Sequence, residues 1–445
     1  MAYGAPEVAG VRVSGMSQEF LERAYAEELD AADPLGEYRE RFALDDPSLI
    51  YLNGNSLGAL PRAVMWRLDH MIKEEWGTAL ARSWDHWVDL PSRAGNLVGE
   101  LIGAAPGQVL VTDNTTVNLY KLASAALEAR PGRHVIITDR DNFPTDRYVL
   151  EGIAARHGAE LRLLGTDINE GLTPDAVRTA VDEDTALVSL SHVAYRSGAL
   201  ADMTAITEIV HGAGALMLWD LCHAVGAVPV ELDACDADLA VGCTYKYLNA
   251  GPGAPAFLYV SARLREVLRQ PIWGWFSQRD LFAMGPRYDP AAGIAKFMTG
   301  TPSILGTAAV EEGVKLLLEA GIGPMRAKSS QLTGYLIELA DAWLAPLGCE
   351  LATPRDPGRR GGHVTYCHPE AELLVSQLAD ANIVTDYRTP DRVRFGLPPL
   401  TTRFTDVWTA IGTTRDILAQ HLAAPDEPGG IERAAAARNA GVEHG

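Results

Sequence analysis

Two residues that follow short apolar runs, Asp220 and Lys246, have the types and the spacing that could do chemistry. Residues 216–220 read as a buried strand that ends in a carboxylate, and the apolar run 237–243 leads into Tyr245 and Lys246. An acid and a lysine at the ends of neighbouring strands can face one crevice. A pyridoxal phosphate (PLP) enzyme needs this pair, because its lysine holds the cofactor as a Schiff base and its acid keeps the pyridine nitrogen protonated. A lysine whose amine extends to solvent is the alternative for Lys246.

The segment 113–118 places hydroxyl and amide side chains between a predicted strand and a predicted helix. A helix N-terminus offers free backbone N–H groups and a positive dipole end, and Thr115 and Thr116 add hydroxyl groups. These groups could form a phosphate cradle. Ser, Thr, Asp and Asn are also common N-caps that bind no ligand, and the segment by itself favours that interpretation.

Three further residues could contact an aromatic cofactor. Phe143, in the segment 141–146, could stack on its ring, and Asp146 could make a polar contact near it. His223 stands three residues after Asp220, so both side chains would point the same way if a helical turn begins there. In isolation, the segment 141–146 is typical of a turn with a core-facing aromatic ring, Asp220 of an N-cap, and His223 of a buried histidine with no catalytic task.

Arg394, in the segment 393–396, could hold a substrate carboxylate by a bidentate contact. Arg388 is a second candidate for this role. The alternative for Arg394 is a surface ion pair.

The order of apolar and amphipathic segments predicts a mostly parallel, doubly wound α/β sheet that would position these residues. Strands are predicted over 109–112, 134–138, 186–190 and 216–219, and helices over 118–129, 204–212 and after Pro61. A long helical region over 308–344, broken near 321–324, leads to a smaller C-terminal part with strands at 363–366 and 393–395. The tail, residues 424–445, is expected to be disordered.

The composition is that of an ordinary globular protein, with 445 residues, 47% hydrophobic and 22% charged. The formal net charge of −20 argues against nucleic acid and anionic membrane surfaces as partners. Five scattered cysteines without a CxxC pair indicate reduced thiols, and no apolar run reaches the length of a membrane span. We see no metal-binding motif and no secretory signal, and we expect a cytoplasmic protein.

Seven segments, in order over roughly residues 52–408, together resemble kynureninase, a PLP-dependent family of the aspartate-aminotransferase fold type. They are YLNGNSLGALP from Tyr51, VTDNTTVNLYKL from Val111, DNFPTD from Asp141, WDLCHAVGAVPVEL from Trp219, VGCTYKYLNAGPGAPAFLYV from Val241, GWF from Gly274 and VRFG from Val393. The resemblance implies PLP-dependent fold type I, with a mostly parallel seven-stranded sheet in a large domain and a smaller α+β C-terminal domain. We expect an N-terminal segment (1–64) that packs with the small domain, a large domain (65–310), a small domain (311–423) and the tail.

The resemblance also implies a role for individual residues. Lys246 would bind PLP and move protons, Asp220 would pair with the ring nitrogen beside His223, and Tyr245 would contribute to phosphate binding and proton transfer. Thr115 and Thr116 would bind the phosphate, and Trp275 and Thr301 would reach it from the partner subunit of a homodimer. The residues expected around the cofactor ring are Phe143, Pro144, Thr145, Asp146 and Ser191. The residues expected to contact the substrate are Arg394, which would bind the α-carboxylate, Asn55 and Gln278.

The reaction that the resemblance implies is hydrolytic cleavage of the Cβ–Cγ bond of the amino acid L-kynurenine to anthranilate and L-alanine. The chain departs from the family where the substrate is expected: Ser277-Gln278 replaces Gly-His, Ala194 replaces a common asparagine, and Leu397 and Thr401 replace aromatic residues. Without these aromatic residues, the sequence gives weaker support for a substrate with an anthraniloyl leaving group. Three alternatives therefore stay open. The substrate could be a modified kynurenine, or the reaction could be a β-elimination on an S-substituted cysteine or another decarboxylative or deaminating reaction in secondary metabolism. The chain could also be a non-catalytic PLP-fold protein.

Overall fold

The structure is a computed structural model that describes residues 18–423. Its strands are β1 (Ile50–Tyr51), β2 (Val109–Val111), β3 (Val135–Asp139), β4 (Glu160–Leu164), β5 (Thr185–Ser191), β6 (Leu216–Asp220), β7 (Leu239–Gly242), β8 (Phe257–Val260), β9 (Glu350–Leu351), β10 (His363–Cys367), β11 (Ile383–Val384), β12 (Asp386–Arg388) and β13 (Arg392–Gly396). Its α-helices are α1 (Arg23–Ala31), α2 (Arg62–His70), α3 (Trp84–Trp87), α4 (Leu90–Leu101), α5 (Thr115–Glu128), α6 (Pro144–His157), α7 (Pro174–Ala180), α8 (Met203–Gly212), α9 (Ile304–Ala320), α10 (Ile322–Trp343), α11 (Ala371–Asp380) and α12 (Phe404–Ala423). A π-helical segment, Met71–Ala79, continues α2, and short 3-10 helices cover Gln18–Leu21, Gly36–Arg41, Leu80–Ser83, Trp275–Ser277, Gly293–Phe297, Ala345–Leu347 and Pro357–Arg359.

The largest sheet has seven strands in the order β2-β8-β7-β6-β5-β3-β4. The strands β4, β3, β5, β6 and β7 run parallel, whereas β8 is antiparallel to both β7 and β2. This confirms the mostly parallel seven-stranded sheet. Parallel strands put their carboxyl ends on one edge, so the loops that follow β3, β5, β6 and β7 meet there.

Both faces of this sheet are covered, which explains the uninterrupted apolar strands of the sequence. In β6, Met217 and Trp219 belong to the core formed with α4, α8 and α9. Leu216 and Leu218 belong to the core on the other face, with α5 and α6. The sheet is thus doubly wound, as predicted.

A second, four-stranded antiparallel sheet has the order β12-β13-β10-β9, and helices α10, α11 and α12 pack with it. The N-terminal part joins this core, because β1 pairs in parallel with β11 and α1 packs on α12. The helical region expected over 308–344 is broken at Gly321, whose φ of 80° separates α9 from α10.

The domain boundaries at 64/65 and 310/311 stay predictions. The tail 424–445, expected to be disordered, lies outside the described residues. Among the described residues, no helix is long and apolar enough to cross a membrane.

Candidate active site

Lys246 lies in the loop after β7, and its side chain is buried, with the residue 8% exposed. Its Nζ is 3.3 Å from Nε2 of His223, 5.9 Å from the ring centre of Phe143 and 5.8 Å from that of Tyr245. In the described part of the chain, no carboxylate forms an ion pair with this amine. The amine therefore does not extend to solvent, and its charge acts on the nearby Asp146 carboxyl group without a direct ion pair.

Asp220, at the end of β6, and Asp146, in the first turn of α6, form a buried carboxyl pair, 6% and 1% exposed. Burial, the charge of Asp220 and a hydrogen bond between the two side chains raise the pKa of Asp146 well above its usual range. Two carboxyl groups in contact cannot both ionise in a site without water, so Asp146 is protonated and donates a hydrogen bond to Asp220. The backbone N–H of Cys222 donates to Asp220 Oδ1 at 2.6 Å and helps to hold that charge.

Asn142 connects this pair to β5. Its Oδ1 accepts from Ser191 Oγ at 2.7 Å, and its Nδ2 lies 3.4 Å from Asp146 Oδ2. The loop 141–143 therefore fixes both Asp146 and the exposed ring of Phe143, which packs edge-on against Tyr195 at 5.3 Å. Pro144 and Thr145 are the first two residues of α6 and lie partly exposed beside this ring.

We call the space bordered by Lys246, Asp220, Phe143 and the N-terminus of α5 the cleft, and the N-terminus of α5 is its other end. Asn114 is the N-cap, since its side chain accepts from the backbone N–H of Val117 at 3.0 Å. The N–H groups of Thr115 and Thr116 have no backbone acceptor among the described residues, and Thr115 Oγ1 faces the Cys222 thiol at 3.9 Å. Both interpretations of this segment are thus compatible: the helix has its cap and still presents two N–H groups and two hydroxyls.

Four hydrogen bonds fix the loops that carry these groups. Buried Lys121 donates to Asp113 Oδ2 and to the carbonyl of Phe297, both at 2.7 Å, and Asp113 Oδ1 accepts from Thr299 at 2.9 Å. The N-terminal loop lies directly on the lysine segment, because Gly58 N–H donates to the carbonyl of Tyr245 at 2.8 Å.

Arg394 on β13 is 1% exposed, so it is no surface ion pair. Its Nε donates to Asp386 Oδ1 at 2.7 Å, its Nη2 to Asp386 Oδ2 at 2.5 Å and its Nη1 to the carbonyl of Tyr195 at 2.5 Å. With its oxygen toward the guanidinium, the buried Asn55 amide accepts from Nε at 2.7 Å and from Nη2 at 3.1 Å. The N-terminal loop, the small sheet and the loop after β5 therefore meet at Arg394.

Three expected residues do not contact Lys246 within one chain, and two of them, Trp275 and Thr301, were expected to act on the partner subunit's site. Among the described residues, none of the hydrogen bonds or ring contacts of Trp275, Thr301 and Gln278 involves Lys246. Gln278 instead binds its own loop, accepting from Asp289 N–H at 2.7 Å and donating to the carbonyl of Arg287 at 3.3 Å. Trp275 and Thr301 are exposed at the surface.

Two histidines beside Lys246 are neutral. Burial first, and then the charges of Lys246 and Arg394, lower the pKa of His223 well below its usual range. His363 packs at 5.6 Å from the His223 ring, and burial lowers its pKa in the same direction. Neutral His223 can accept a hydrogen bond from the Lys246 amine.

Sequence reasoning missed Asn142, Asp386 and Lys121. Asn142 lies inside the DNFPTD segment, where its amide next to Phe143 was a usable signal. Asp386 stands two residues before Arg388, and period-two alternation would have put both on one face of a strand. Lys121 gave no signal, because an amphipathic helix does not reveal which lysine is buried.

These residues fit PLP. The buried Lys246 amine, the Asp220 carboxyl group, the N–H groups at the start of α5 and the exposed Phe143 ring match an aldehyde, a pyridine nitrogen, a phosphate and an aromatic ring.

Comparisons with known proteins identify the family and the fold of the chain. The family model described as the kynureninase C-terminal domain matches residues 325–413, and the DegT/DnrJ/EryC1/StrS aminotransferase family matches residues 98–240. A kynureninase of Pseudomonas fluorescens is 46% identical over 398 residues, covering 88% of this chain and 94% of that protein, and one of Burkholderia pseudomallei (strain 1106a) is 44% identical with the same coverage. Among solved structures, an apo cysteine desulfurase from Thermococcus onnurineus NA1 has a TM-score of 0.76 at 19% identity, covering 86% of this chain and 98% of that one. The cystine C–S lyase C-DES, in complex with cysteine persulfide, has a TM-score of 0.74 at 18% identity, covering 83% and 98%.

The two solved structures share the fold, which is PLP-dependent fold type I, as predicted. The kynureninase relatives match nearly the whole chain at well above the identity that a shared fold alone requires. The cofactor is pyridoxal 5'-phosphate, and the chain is an enzyme that belongs to the kynureninase family.

Proposed function

We propose that this enzyme hydrolyses the Cβ–Cγ bond of L-kynurenine, adding one water and releasing anthranilate and L-alanine. The observation that carries the proposal is the position of the buried Lys246 amine. It lies over the Phe143 ring, and Asp146 interacts electrostatically with both this amine and Asp220. The kynureninases at 44–46% identity support the choice of substrate.

Each end of the cleft has a task in this proposal. Bound PLP withdraws electrons from the substrate Cα and makes its α-proton acidic. Lys246 carries the cofactor and moves this proton, and His223, neutral and 3.3 Å away, orients its amine. Asp220 pairs with the pyridine nitrogen, and protonated Asp146 keeps that carboxylate in place.

The phosphate and carboxylate groups are held at opposite sides. Thr115 and Thr116 take the phosphate with their N–H and hydroxyl groups. Burial, and then the neighbouring thiols, raise the pKa of Tyr245 above its usual range, so its hydroxyl stays a hydrogen-bond donor for the phosphate. Arg394, fixed by Asp386, takes the substrate α-carboxylate.

We further propose that the enzyme is a homodimer with shared active sites. Large apolar side chains are exposed on the segment 65–80 and on the segment 272–284, among them Trp66 at 68%, Trp76 at 58% and Trp273 at 65%. The helix α3, which closely follows the first segment, contacts the second, since the ring of Trp84 lies 6.2 Å from that of Phe276. A surface of this kind marks an interface, and a second copy on it would bring exposed Trp275 and Thr301 to the partner's phosphate.

A cytoplasmic location fits the cysteines. All five are free thiols, and Cys222 and Cys243 lie side by side, with the N–H of Cys243 3.2 Å from Cys222 Sγ. Free thiols in contact persist in a reducing compartment.

The test uses the purified full chain incubated with PLP. We expect a visible absorption band of lysine-bound PLP, and anthranilate fluorescence that grows when L-kynurenine is added. Lys246→Ala should abolish both, and Lys315→Ala, at an exposed lysine paired with Glu312, should leave both unchanged. Absence of the band would reject the proposed PLP-dependent activity. Pyruvate and thiol from an S-substituted cysteine, without anthranilate from kynurenine, would favour a C–S lyase instead.

A further inference from the structure

One face of the hairpin formed by β12 and β13 carries an excess of positive charge. The strands are antiparallel, with Asp386 opposite Arg394 and Arg388 opposite Arg392. Because alternate residues of a strand share a face, these four side chains lie on one side of the hairpin. Three guanidinium groups therefore share that side with a single carboxylate.

That carboxylate serves two arginines at once. Asp386 accepts both fork contacts of Arg394, and its Oδ2 also lies 2.9 Å from Nη2 of Arg388. The side chains of Arg394 and Asp386 are 1% and 11% exposed, whereas that of Arg388 is 34% exposed. Two positive charges and one negative charge leave this unit with a net charge of about +1, partly shielded from water.

The guanidinium of Arg394 still has donors to offer. It has five N–H groups. Nε and Nη2 each donate to Asp386 and to Asn55, and Nη1 donates to the Tyr195 carbonyl. Since Nη1 has two N–H groups and the Tyr195 carbonyl is its one acceptor among the described residues, it keeps a donor for a substrate carboxylate.

The positive charge of Arg388 acts on a buried histidine near Lys246. Burial lowers the pKa of His363 most, and the positive charges around it, Arg388 included, lower it further. His363 is in ring contact with His223, which contacts Lys246. The charge of Arg388 is therefore felt inside the cleft.

We propose that Arg388 is a positioning residue that sets the selectivity for a substrate α-carboxylate by sharing Asp386 with Arg394. Without Arg388, the pair of Arg394 and Asp386 is neutral and attracts a carboxylate through hydrogen bonds alone. With it, the unit keeps a positive charge that an incoming α-carboxylate neutralises. The proposal rests on the role of Arg394 given above.

The test compares two small amines as ligands of the PLP-loaded protein, with the change in visible absorption as the readout of binding. L-Alanine carries the carboxylate, and ethylamine is the same molecule without it. We expect Arg388→Gln to weaken L-alanine binding about tenfold and ethylamine binding less than twofold. Arg388→Lys, which keeps the charge, should restore most of the L-alanine affinity.

Equal losses for both amines would mean that the ion pair is merely structural, and unchanged L-alanine binding would overturn the proposal. A charge-balanced variant sharpens the test: Asp386→Asn combined with Arg388→Gln leaves the charge of Arg394 unopposed. We expect this double variant to bind L-alanine more tightly than Arg388→Gln alone, and weaker binding would contradict the charge argument.

The outcome is separate from that of the proposed function, because L-alanine binding requires no turnover of kynurenine. If the preference for L-alanine depends on Arg388 but the protein forms no anthranilate, kynurenine is rejected as the substrate and the role of Arg388 is retained. Anthranilate formation together with Arg388→Gln binding L-alanine as the wild type does would reject the inference alone.

Discussion

Asp146 and Asp220 are two carboxyl groups that share one proton in a site from which water is excluded. The repulsion between them, added to burial, makes one protonated form the stable state. Asp220 thereby accepts a hydrogen bond from Asp146, and in the proposed function it pairs with the pyridine nitrogen. Asp146 acts as a neutral hydrogen-bond donor behind it, a role that an amide could also perform.

We therefore expect Asp146→Asn to bind PLP within about threefold of the wild type. Asp146→Ala leaves Asp220 with the Cys222 N–H but without its side-chain donor, and the loss of a buried hydrogen-bond partner costs about 1–3 kcal/mol, or roughly 5- to 150-fold in affinity. PLP titration of the apoprotein, followed by tryptophan fluorescence, measures both. Equal losses in the two variants would show that Asp146 acts as an anion.

At this scale, the sequence located residues better than it located their partners. Asp220 and Lys246 were found because each ends or follows a strand on the same edge of the sheet, whereas Ser191 at the end of β5 was named only through the family resemblance. The proton shared by Asp146 could not be predicted, because it depends on a contact between α6 and β6, elements that are distant in the sequence.

Among the elements, the N-terminal loop after β1 does more than its turn-forming composition suggested. It supplies Asn55 to Arg394, and it closes over the lysine segment through Gly58. A Cβ on Gly58 would lie 2.1 Å from the Lys246 carbonyl and 2.4 Å from Asn249 Oδ1. The glycine is required by this close approach of two backbones.

Gly58→Ala should consequently displace the Lys246 segment, lower the thermal midpoint and reduce the amount of bound PLP. Overpacking of this kind costs typically about 1–3 kcal/mol. Gly152→Ala in α6 is the matched control, because nothing lies within 4 Å of its added Cβ and alanine favours the helix. Differential scanning fluorimetry and the visible band report on the two effects, and a Gly58→Ala protein with both unchanged would contradict the contact.

The element boundaries show where periodicity succeeds. Strands β3, β5 and β6 agree with prediction to within one residue, since a buried parallel strand is an uninterrupted apolar run. The helix predicted from 118 begins at Thr115, because its first turn is polar and capped by Asn114. Short strands such as β9, β11 and β12 have two or three residues and no period to detect.

For the whole molecule, the exposed tryptophans predict how the subunits associate. Trp66→Glu and Trp76→Glu should each dissociate the proposed dimer, because a charge would then be buried against an apolar surface. Sedimentation velocity should show a monomer, and anthranilate formation should fall with dissociation as Trp275 is withdrawn. Leu422→Glu, at a position 63% exposed on α12, is the control and should stay dimeric. Dimers in the tryptophan variants would place the interface elsewhere.

Three buried histidines give the stability of the molecule a pH dependence of known sign. Burial lowers the pKa of His192 to about 4, and the pKa values of His223 and His363 are lowered as well. Between an unfolded pKa of about 6.5 and the lower folded values, the unfolded chain binds protons that the folded chain does not. The free energy of unfolding should therefore fall as the pH falls through this window.

His192 alone should contribute roughly 3 kcal/mol to this loss between about pH 6.5 and about pH 4, at up to about 1.4 kcal/mol per pH unit. His192→Gln should remove this contribution from the pH dependence of the free energy of unfolding, since glutamine does not titrate. The variant shows this even if it is less stable at pH 7. Denaturant unfolding of the PLP-loaded protein at several pH values measures the slope, and His134→Gln, at an exposed histidine, should leave it unchanged. If His192→Gln keeps the wild-type slope, His192 titrates normally, and the acid sensitivity then comes from the two histidines beside Lys246.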